Sequence, residues 1–308
     1  MLVFSITNAC NFHCKTCLRE HPRNIGHISL EIVEKVLQEY KKLNSEPLVA
    51  ITGGEPCLHP EFEKVVEIIT RNGFSFRFVS NGFFLDRYKF IVEKYKKNAN
   101  CAAFSLDGSS QEIHDEVRNP GSFEKVREAI QYFSSAGVYT RVMSCLNRIN
   151  VHQIGEIISL AKELGARDAY FMSAIRTSLN GEIVFSDAEK ERHKNYIYQL
   201  GKKHDFTVYA CSSFGKKKGV EFCPALNLEA MQVNQKGEVS FCCDNIGAGA
   251  IVGSLKDNSF GELYSRCLDL SCELKKIRVE LLESNVVMEG LNTCEFCSKF
   301  LKRHIEMN

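Results

Sequence analysis

The sequence predicts an α/β fold: a partial (β/α)6 barrel of the TIM type, then a small C-terminal α+β part made of a hairpin and a helix. Three observations carry this. Apolar, β-prone runs alternate strictly with amphipathic helical patterns through six units up to about residue 205. Strict alternation forces parallel strands joined by right-handed crossovers. The runs end in loops rich in Cys, Gly, Asn and Asp, the end of the sheet where such folds place their chemistry. Beyond that point the alternation stops. The expected division is 1–205 for the barrel and 206–308 for the second part. A doubly wound open sheet is the alternative arrangement of the same units.

Residues 1–7 (MLVFSIT) form the first strand, and a cysteine-bearing loop follows. Ser29 reads as an N-cap, with Leu30, Ile32, Val33, Val36, Leu37 and Tyr40 at helical spacing. Residues 47–51 are a short buried strand ending in Thr52-Gly53-Gly54-Glu55-Pro56. A helix from about Pro60 stops at Asn72-Gly73. The third strand, 74–79, ends in Ser80-Asn81-Gly82, and a helix covers about 86–97. The fourth, 101–106, ends in Asp107-Gly108, with helical segments over 111–117 and 122–136. Residues 138–146 are the fifth strand, 154–164 a helix, 168–172 the sixth strand and 187–203 a helix. Residues 208–220, with a basic, glycine-bearing patch, read as a linker or loop. A hairpin over 228–242 turns at Gln235-Lys236-Gly237, and 263–282 is helical in pattern.

The totals narrow the function. A chain of 308 residues needs no disulfide staples. Its 44% apolar and 25% charged content is ordinary for a soluble globular protein. A net charge of +1 argues against nucleic acid as a dominant partner. No apolar run approaches a membrane span, and no signal peptide is visible. Fourteen cysteines in such a chain point to metal binding and to a reducing, cytoplasmic location.

The chemistry centres on Cys10, Cys14 and Cys17, spaced C-x3-C-x2-C directly after the first strand. Thiolates at such close quarters suit zinc or an iron–sulfur cluster. A closed structural site takes four ligands; three leave one corner open, as a catalytic centre requires. A zinc knuckle is the bland reading. The motif on this loop resembles the signature of the radical S-adenosylmethionine (radical SAM) enzymes.

The resemblance implies a [4Fe–4S] cluster on Cys10, Cys14 and Cys17, with SAM chelating the fourth iron. One electron then cleaves SAM to a 5′-deoxyadenosyl radical, which abstracts a substrate hydrogen atom. Gly53, Gly54 and Glu55 match the family's second motif, expected at the amino group of SAM. Asn81, Ser105 and Asp107 are similar to positions lining its carboxylate and ribose. Asn147 and Met172 are expected at the ribose or adenine. The family's frequent aromatic before the last cysteine is Thr16 here, so the adenine contact is made differently or by Phe12. Arg118 and Arg141 could reach a substrate carboxylate, but solvated surface is the favoured reading.

A second set, Cys223, Cys242, Cys294 and Cys297, looks like the auxiliary-cluster extension of these enzymes. It is similar to the short "twitch" version, with one further [4Fe–4S] cluster, rather than the seven-cysteine "SPASM" version. Four protein ligands are favoured over an open iron. Cys243 and Asp244 follow Cys242. In related enzymes a neighbouring cysteine returns a hydrogen atom to the substrate, or a neighbouring aspartate acts as base.

The resemblance implies an electron donor such as flavodoxin or ferredoxin. The substrate is expected to be a peptide, modified by epimerisation, crosslinking, thioether formation or residue oxidation. Oxidation of a small alcohol or amino sugar is the alternative, and a non-catalytic zinc scaffold is the alternative of another class. The chain begins at its first strand, which reads as lacking an N-terminal peptide-recognition domain.

Overall fold

The computed structural model describes residues 1–18, 24–43, 47–177, 180–214, 230–242 and 251–283. Their strands form one sheet in the order β10-β9-β8-β1-β2-β3-β4-β5-β6-β7. The predicted barrel strands are β1 (Leu2–Ser5), β2 (Leu48–Thr52), β3 (Ser75–Ser80), β4 (Ala99–Ser105), β5 (Thr140–Leu146) and β6 (Asp168–Ser173). Neighbours pair in parallel, in chain order. The order is linear, with no pairing that joins its two ends, as a partial barrel requires.

The helices between them are α1 (Leu30–Leu43), α2 (Phe62–Arg71), α3 (Lys89–Tyr95), α4 (Gln111–Val117), α5 (Ser122–Ser135), α6 (Ile154–Glu163) and α7 (Asp187–Lys203). Of these, α1, α2, α5 and α6 form where apolar side chains fall on one face. On α2, Phe62, Val65, Val66, Ile68 and Ile69 are all buried. That helix closes at the predicted Asn72-Gly73, where the Phe74 N–H reaches back to Ile69 O at 3.1 Å. Ser29 accepts from the Ile32 N–H at 3.3 Å, as its reading as an N-cap requires. In β3 and β5 exposure alternates residue by residue. The fully buried set, Phe76, Phe78, Val142 and Leu146 among it, joins the core with the helices.

The structure extends this plan at both edges. Within the expected linker, β7 (Thr207–Ala210) pairs in parallel with β6. Four alternately exposed residues are too few to stand out by pattern, and the strand forms because β6 offers it an edge. At the other edge β8 (Met231–Val233) pairs in parallel with β1, and β9 (Glu238–Ser240) folds back on β8 as the predicted hairpin. β10 (Ile251–Ser254), unforeseen in the sequence, pairs with β9. The sheet therefore runs across the expected boundary at residue 205. The last helix, α8 (Phe260–Glu283), begins three residues earlier than predicted. A reciprocal pair sets its start: Ser259 N–H donates to Glu262 Oε2 at 2.8 Å, and Glu262 N–H to Ser259 Oγ at 3.2 Å. α8 packs on α1, with the Phe260 ring edge-on to Tyr40 at 6.1 Å. No helix among the described residues is long and apolar enough to cross a membrane.

Candidate active site

The loop after β1 is held from both sides. Thr7 bridges to His27, and its Oγ1 lies 2.9 Å from His27 Nδ1. Asn8 Oδ1 accepts from the Gly26 N–H at 2.7 Å. Within the loop, the Phe12 N–H points at Cys10 Sγ at 3.4 Å, and the Cys17 N–H closes a turn onto Cys14 O at 3.1 Å. Cys10 and Cys14 are partly buried and Cys17 is exposed, and none of the three is in a disulfide. Burial pushes the Cys10 thiol up to about 11 against the Phe12 N–H, and the charges of Glu55, Cys14 and Cys17 add to the rise. Burial also raises Cys14, opposed by the Arg118 cation.

The second motif lies flat on this loop. Gly54 N–H donates to Thr7 O at 2.8 Å and Glu55 N–H to Ala9 O at 2.7 Å. A Cβ on Gly54 would sit 2.1 Å from Ala9 O, and one on Gly53 2.5 Å from Thr7 O. Only glycine fits where the two backbones meet. The Glu55 side chain turns the other way. Its buried carboxylate accepts from Ser80 Oγ at 2.9 Å, from the Asn81 N–H at 2.8 Å and from the Tyr88 hydroxyl. Burial raises its pKa and these donors oppose the rise. Glu55 thus fastens the β2 loop to the end of β3. Asn81 continues the chain of contacts, its Nδ2 donating to Asn11 Oδ1 at 2.9 Å on the cysteine loop. Phe12 is buried with its ring edge-on to Phe83 at 5.5 Å.

Ser105, the last residue of β4, and Asp107 just beyond it are buried. Asp107 accepts from the Cys145 N–H at 2.6 Å and is ion-paired with Arg118, whose Nη1 lies 3.9 Å from Cys14 Sγ. Arg118 is therefore no surface residue: its side chain is 14% exposed. Arg141 is not free surface either. At the start of β5, the end of the sheet away from the cysteine loop, it forms a two-pronged pair with Asp168, both contacts at 2.6 Å. Asn147 is spent in a turn, its Oδ1 accepting from the Ile149 N–H at 2.9 Å and its Nδ2 donating to Cys145 O at 3.1 Å. Met172, partly buried in β6, is in register with Cys145.

The structure thus gathers Phe12, Gly53, Gly54, Glu55 and Asn81 around the cysteine loop, with Asp107 reaching it through Arg118. Sequence reading missed Asn11, Tyr88 and the buried role of Arg118. Tyr88 had no local signal, lying 33 residues from its partner Glu55. Of the second cysteine set, Cys242 follows β9, which runs antiparallel to β8. It leaves the hairpin near the N-terminal ends of β8 and β1, opposite the Cys10 loop. Cys223, Cys243, Asp244, Cys294 and Cys297 lie outside the described residues.

Among the described residues no three His, Cys, Asp or Glu side chains close on a single metal ion. The donor set fits an iron–sulfur cluster: three thiols outside any disulfide, within electrostatic reach of each other, on one loop held in place by the Gly53-Gly54 backbone packed against it.

An open parallel α/β sheet with such a loop after its first strand defines a class, the cluster-bearing partial barrels. The radical SAM superfamily model matches residues 4–161, and the chain belongs to that superfamily. Its members hold a [4Fe–4S] cluster and SAM. The chain is 24% identical over 258 residues to an AdoMet-dependent heme synthase of Oleidesulfovibrio alaskensis, covering 79% of this chain and 66% of the relative. It is 28% identical over 279 residues to the mycofactocin maturase of Mycolicibacterium smegmatis, covering 85% of this chain and 69% of the relative. Among solved structures, Streptococcus suis SuiB bound to the precursor peptide SuiA superposes with a TM-score of 0.71 at 15% identity, covering 85% of this chain and 64% of SuiB. The chain is thus shorter than these relatives.

Proposed function

We propose that this chain reductively cleaves SAM and abstracts a hydrogen atom from a peptide, leading to epimerisation, a crosslink, a thioether or an oxidised residue. The observation that carries it is the three-thiol loop seated on the Gly53-Gly54 backbone at the C-terminal ends of the strands. Cys10, Cys14 and Cys17 hold the catalytic cluster. When bound, the cluster and SAM supply the radical that takes the hydrogen atom. Gly53, Gly54, Asn81 and Ser105 form the SAM cradle, with Phe12 and Met172 at its nucleoside side; Asn147, buried and committed to its own turn, supports that side without a free polar atom to offer. Glu55 and Asp107 shape that cradle from behind, since their carboxylates are engaged within the protein.

The peptide class is supported by the maturase relative and by the likeness to SuiB. An auxiliary [4Fe–4S] cluster on Cys223, Cys242, Cys294 and Cys297 belongs to the same reading, within residues 206–308. Cys243 and Asp244 are assigned the return of a hydrogen atom or the removal of a proton. Because Cys242 leaves the hairpin at the end of the strands opposite the Cys10 loop, that assignment requires the substrate to span the two ends. A flavodoxin or ferredoxin in the cytoplasm supplies the electron, and neither nucleic acid nor membrane is a partner. A second reading, a heme-class small molecule, rests on the heme synthase match.

The test is anaerobic reconstitution followed by iron and sulfide analysis and SAM turnover. About eight irons per chain are expected, falling to about four in Cys10→Ala/Cys14→Ala/Cys17→Ala, which also loses 5′-deoxyadenosine formation. Zinc without iron would sink the reading. Mass change in a short peptide encoded beside the gene separates the peptide reading from the heme-class one.

A further inference from the structure

The last turn of α4 is fastened to the cysteine loop at three points. Lys15 N–H donates to Val117 O at 2.9 Å, Lys15 Nζ meets Glu116 Oε1 at 2.9 Å, and Arg118 Nη1 lies 3.9 Å from Cys14 Sγ. The Lys15–Glu116 pair is exposed and contributes little. The Arg118 contact differs because its cation is shielded and cannot swing. Its side chain is 14% exposed, and its Nε is taken by Asp107, whose side chain is fully buried. The other Asp107 oxygen is fixed by the Cys145 N–H at 2.6 Å. A planar guanidinium with one edge committed to a rigid carboxylate aims its remaining N–H groups in a set direction, here at Cys14.

We propose that Arg118, held by Asp107, is a positioning residue that donates an N–H to the Cys14 thiolate and stabilises the reduced state of the cluster. The proposal rests on the reading of Cys10, Cys14 and Cys17 as cluster ligands. Reduction adds one negative charge to a group already made anionic by its thiolates. A fixed cation in contact with one of those sulfurs favours the added electron, and burial keeps water and salt from screening it. Hydrogen bonds to cluster sulfurs act in the same direction. Asp107 opposes this only partly, since it lies beyond the guanidinium from the sulfur.

The test uses the full-length, reconstituted protein poised at a fixed potential, with the reduced clusters followed by electron paramagnetic resonance. The signal that changes on adding SAM reports the Cys10/Cys14/Cys17 cluster; any signal that does not change is an internal reference. In Arg118→Met the reduced-to-oxidised ratio of the SAM-responsive cluster is expected to fall about tenfold, or ~59 mV for a one-electron couple, at unchanged iron per chain. Arg118→Lys keeps the cation and should keep most of the ratio. Arg118→Met alone strands a buried Asp107 charge, so Asp107→Asn/Arg118→Met, which removes both charges, guards against misfolding. The paired variant should shift in the same direction. An unchanged ratio at full iron content overturns the proposal. So does weaker SAM binding with an unchanged ratio, which would place Arg118 on SAM instead. A wild type with no SAM-responsive cluster would overturn the cluster assignment and this proposal together, a result distinguishable from the other two.

Discussion

His114 shows what a single buried side chain contributes behind the site. It is fully buried on α4, and its Nδ1 accepts the Asp107 N–H at 3.1 Å. The proton of the neutral ring must therefore sit on Nε2, which has no hydrogen-bond partner among the described residues. Protonating Nδ1 would set two N–H groups against each other. Burial, with the Arg118 charge, depresses the pKa to about 4, and the Asp107 charge only partly offsets it. The unfolded ring titrates near 6.5, so between these values the unfolded state binds more protons. Stability from this group is complete above about pH 6.5 and is lost as pH falls towards 4. The loss between pH 7.5 and pH 5 should be about 2 kcal/mol. Urea unfolding of the metal-free protein at both values checks this. In His114→Asn, whose side-chain oxygen can still accept from Asp107, the fall between the two pH values should be smaller by that amount. An equal fall in both proteins would show that His114 does not titrate in this window. None of this was legible in the sequence, where His114 is a lone histidine on a short helix. Arg118 misled for a related reason: a charge at a helix end is ordinarily solvated, and only the fold reveals the carboxylate behind it.

At the scale of elements, the seat of the cysteine loop on the second motif can be tested directly. Gly54→Ala places a methyl group 2.1 Å from Ala9 O, and the obstacle is backbone, which cannot rotate away as a side chain would. The two loops must separate, breaking the Gly54–Thr7 and Glu55–Ala9 hydrogen bonds. The expected outcome is loss of one cluster, from about eight irons to about four, with the circular dichroism of the fold retained. Gly261→Ala is the control: a Cβ there meets nothing within 4 Å, and iron content should stay at the wild-type level. Full iron in Gly54→Ala would show that the loops do not depend on this contact. A second prediction concerns α7, which opens on a reciprocal cap between Ser186 and Glu189. Ser186→Ala should cost about 1 kcal/mol in urea unfolding. The barrel strands and α1, α2, α5 and α6 were legible because their apolar residues recur at helical or strand period over enough residues. β7 escaped because it is four residues long and partly exposed, held by its neighbour rather than by pattern. The start of α8 was legible in principle, since Ser259 and Glu262 have the spacing of a capping box.

For the molecule as a whole, the sequence marks a change of character near residue 205, whereas the sheet does not break there. β1 has β2 on one side and β8 on the other, with Phe4 in register with both Ile51 and Val233. α8 adds its weight through Phe260, fully buried against Tyr40 of α1. Long-range pairing of this kind leaves no local trace, because β8 is three residues whose partner lies more than two hundred positions away. It does have a mechanical consequence. The strand that leads into the Cys10 loop is clamped by the hairpin that leads to Cys242, so the two halves should resist unfolding together. Phe260→Ala removes a buried ring and should cost about 3–5 kcal/mol. Amide exchange tells where that loss falls. If the C-terminal elements share one cooperative unit with the barrel, the amides of Leu2–Ser5 should lose protection in step with those of α8. A separately folding C-terminal unit would leave β1 as protected as in the wild type while α8 alone exchanged faster. The first pattern would mean that a defect in the C-terminal elements reaches the catalytic loop through β1, with no contact between the two cysteine sets needed.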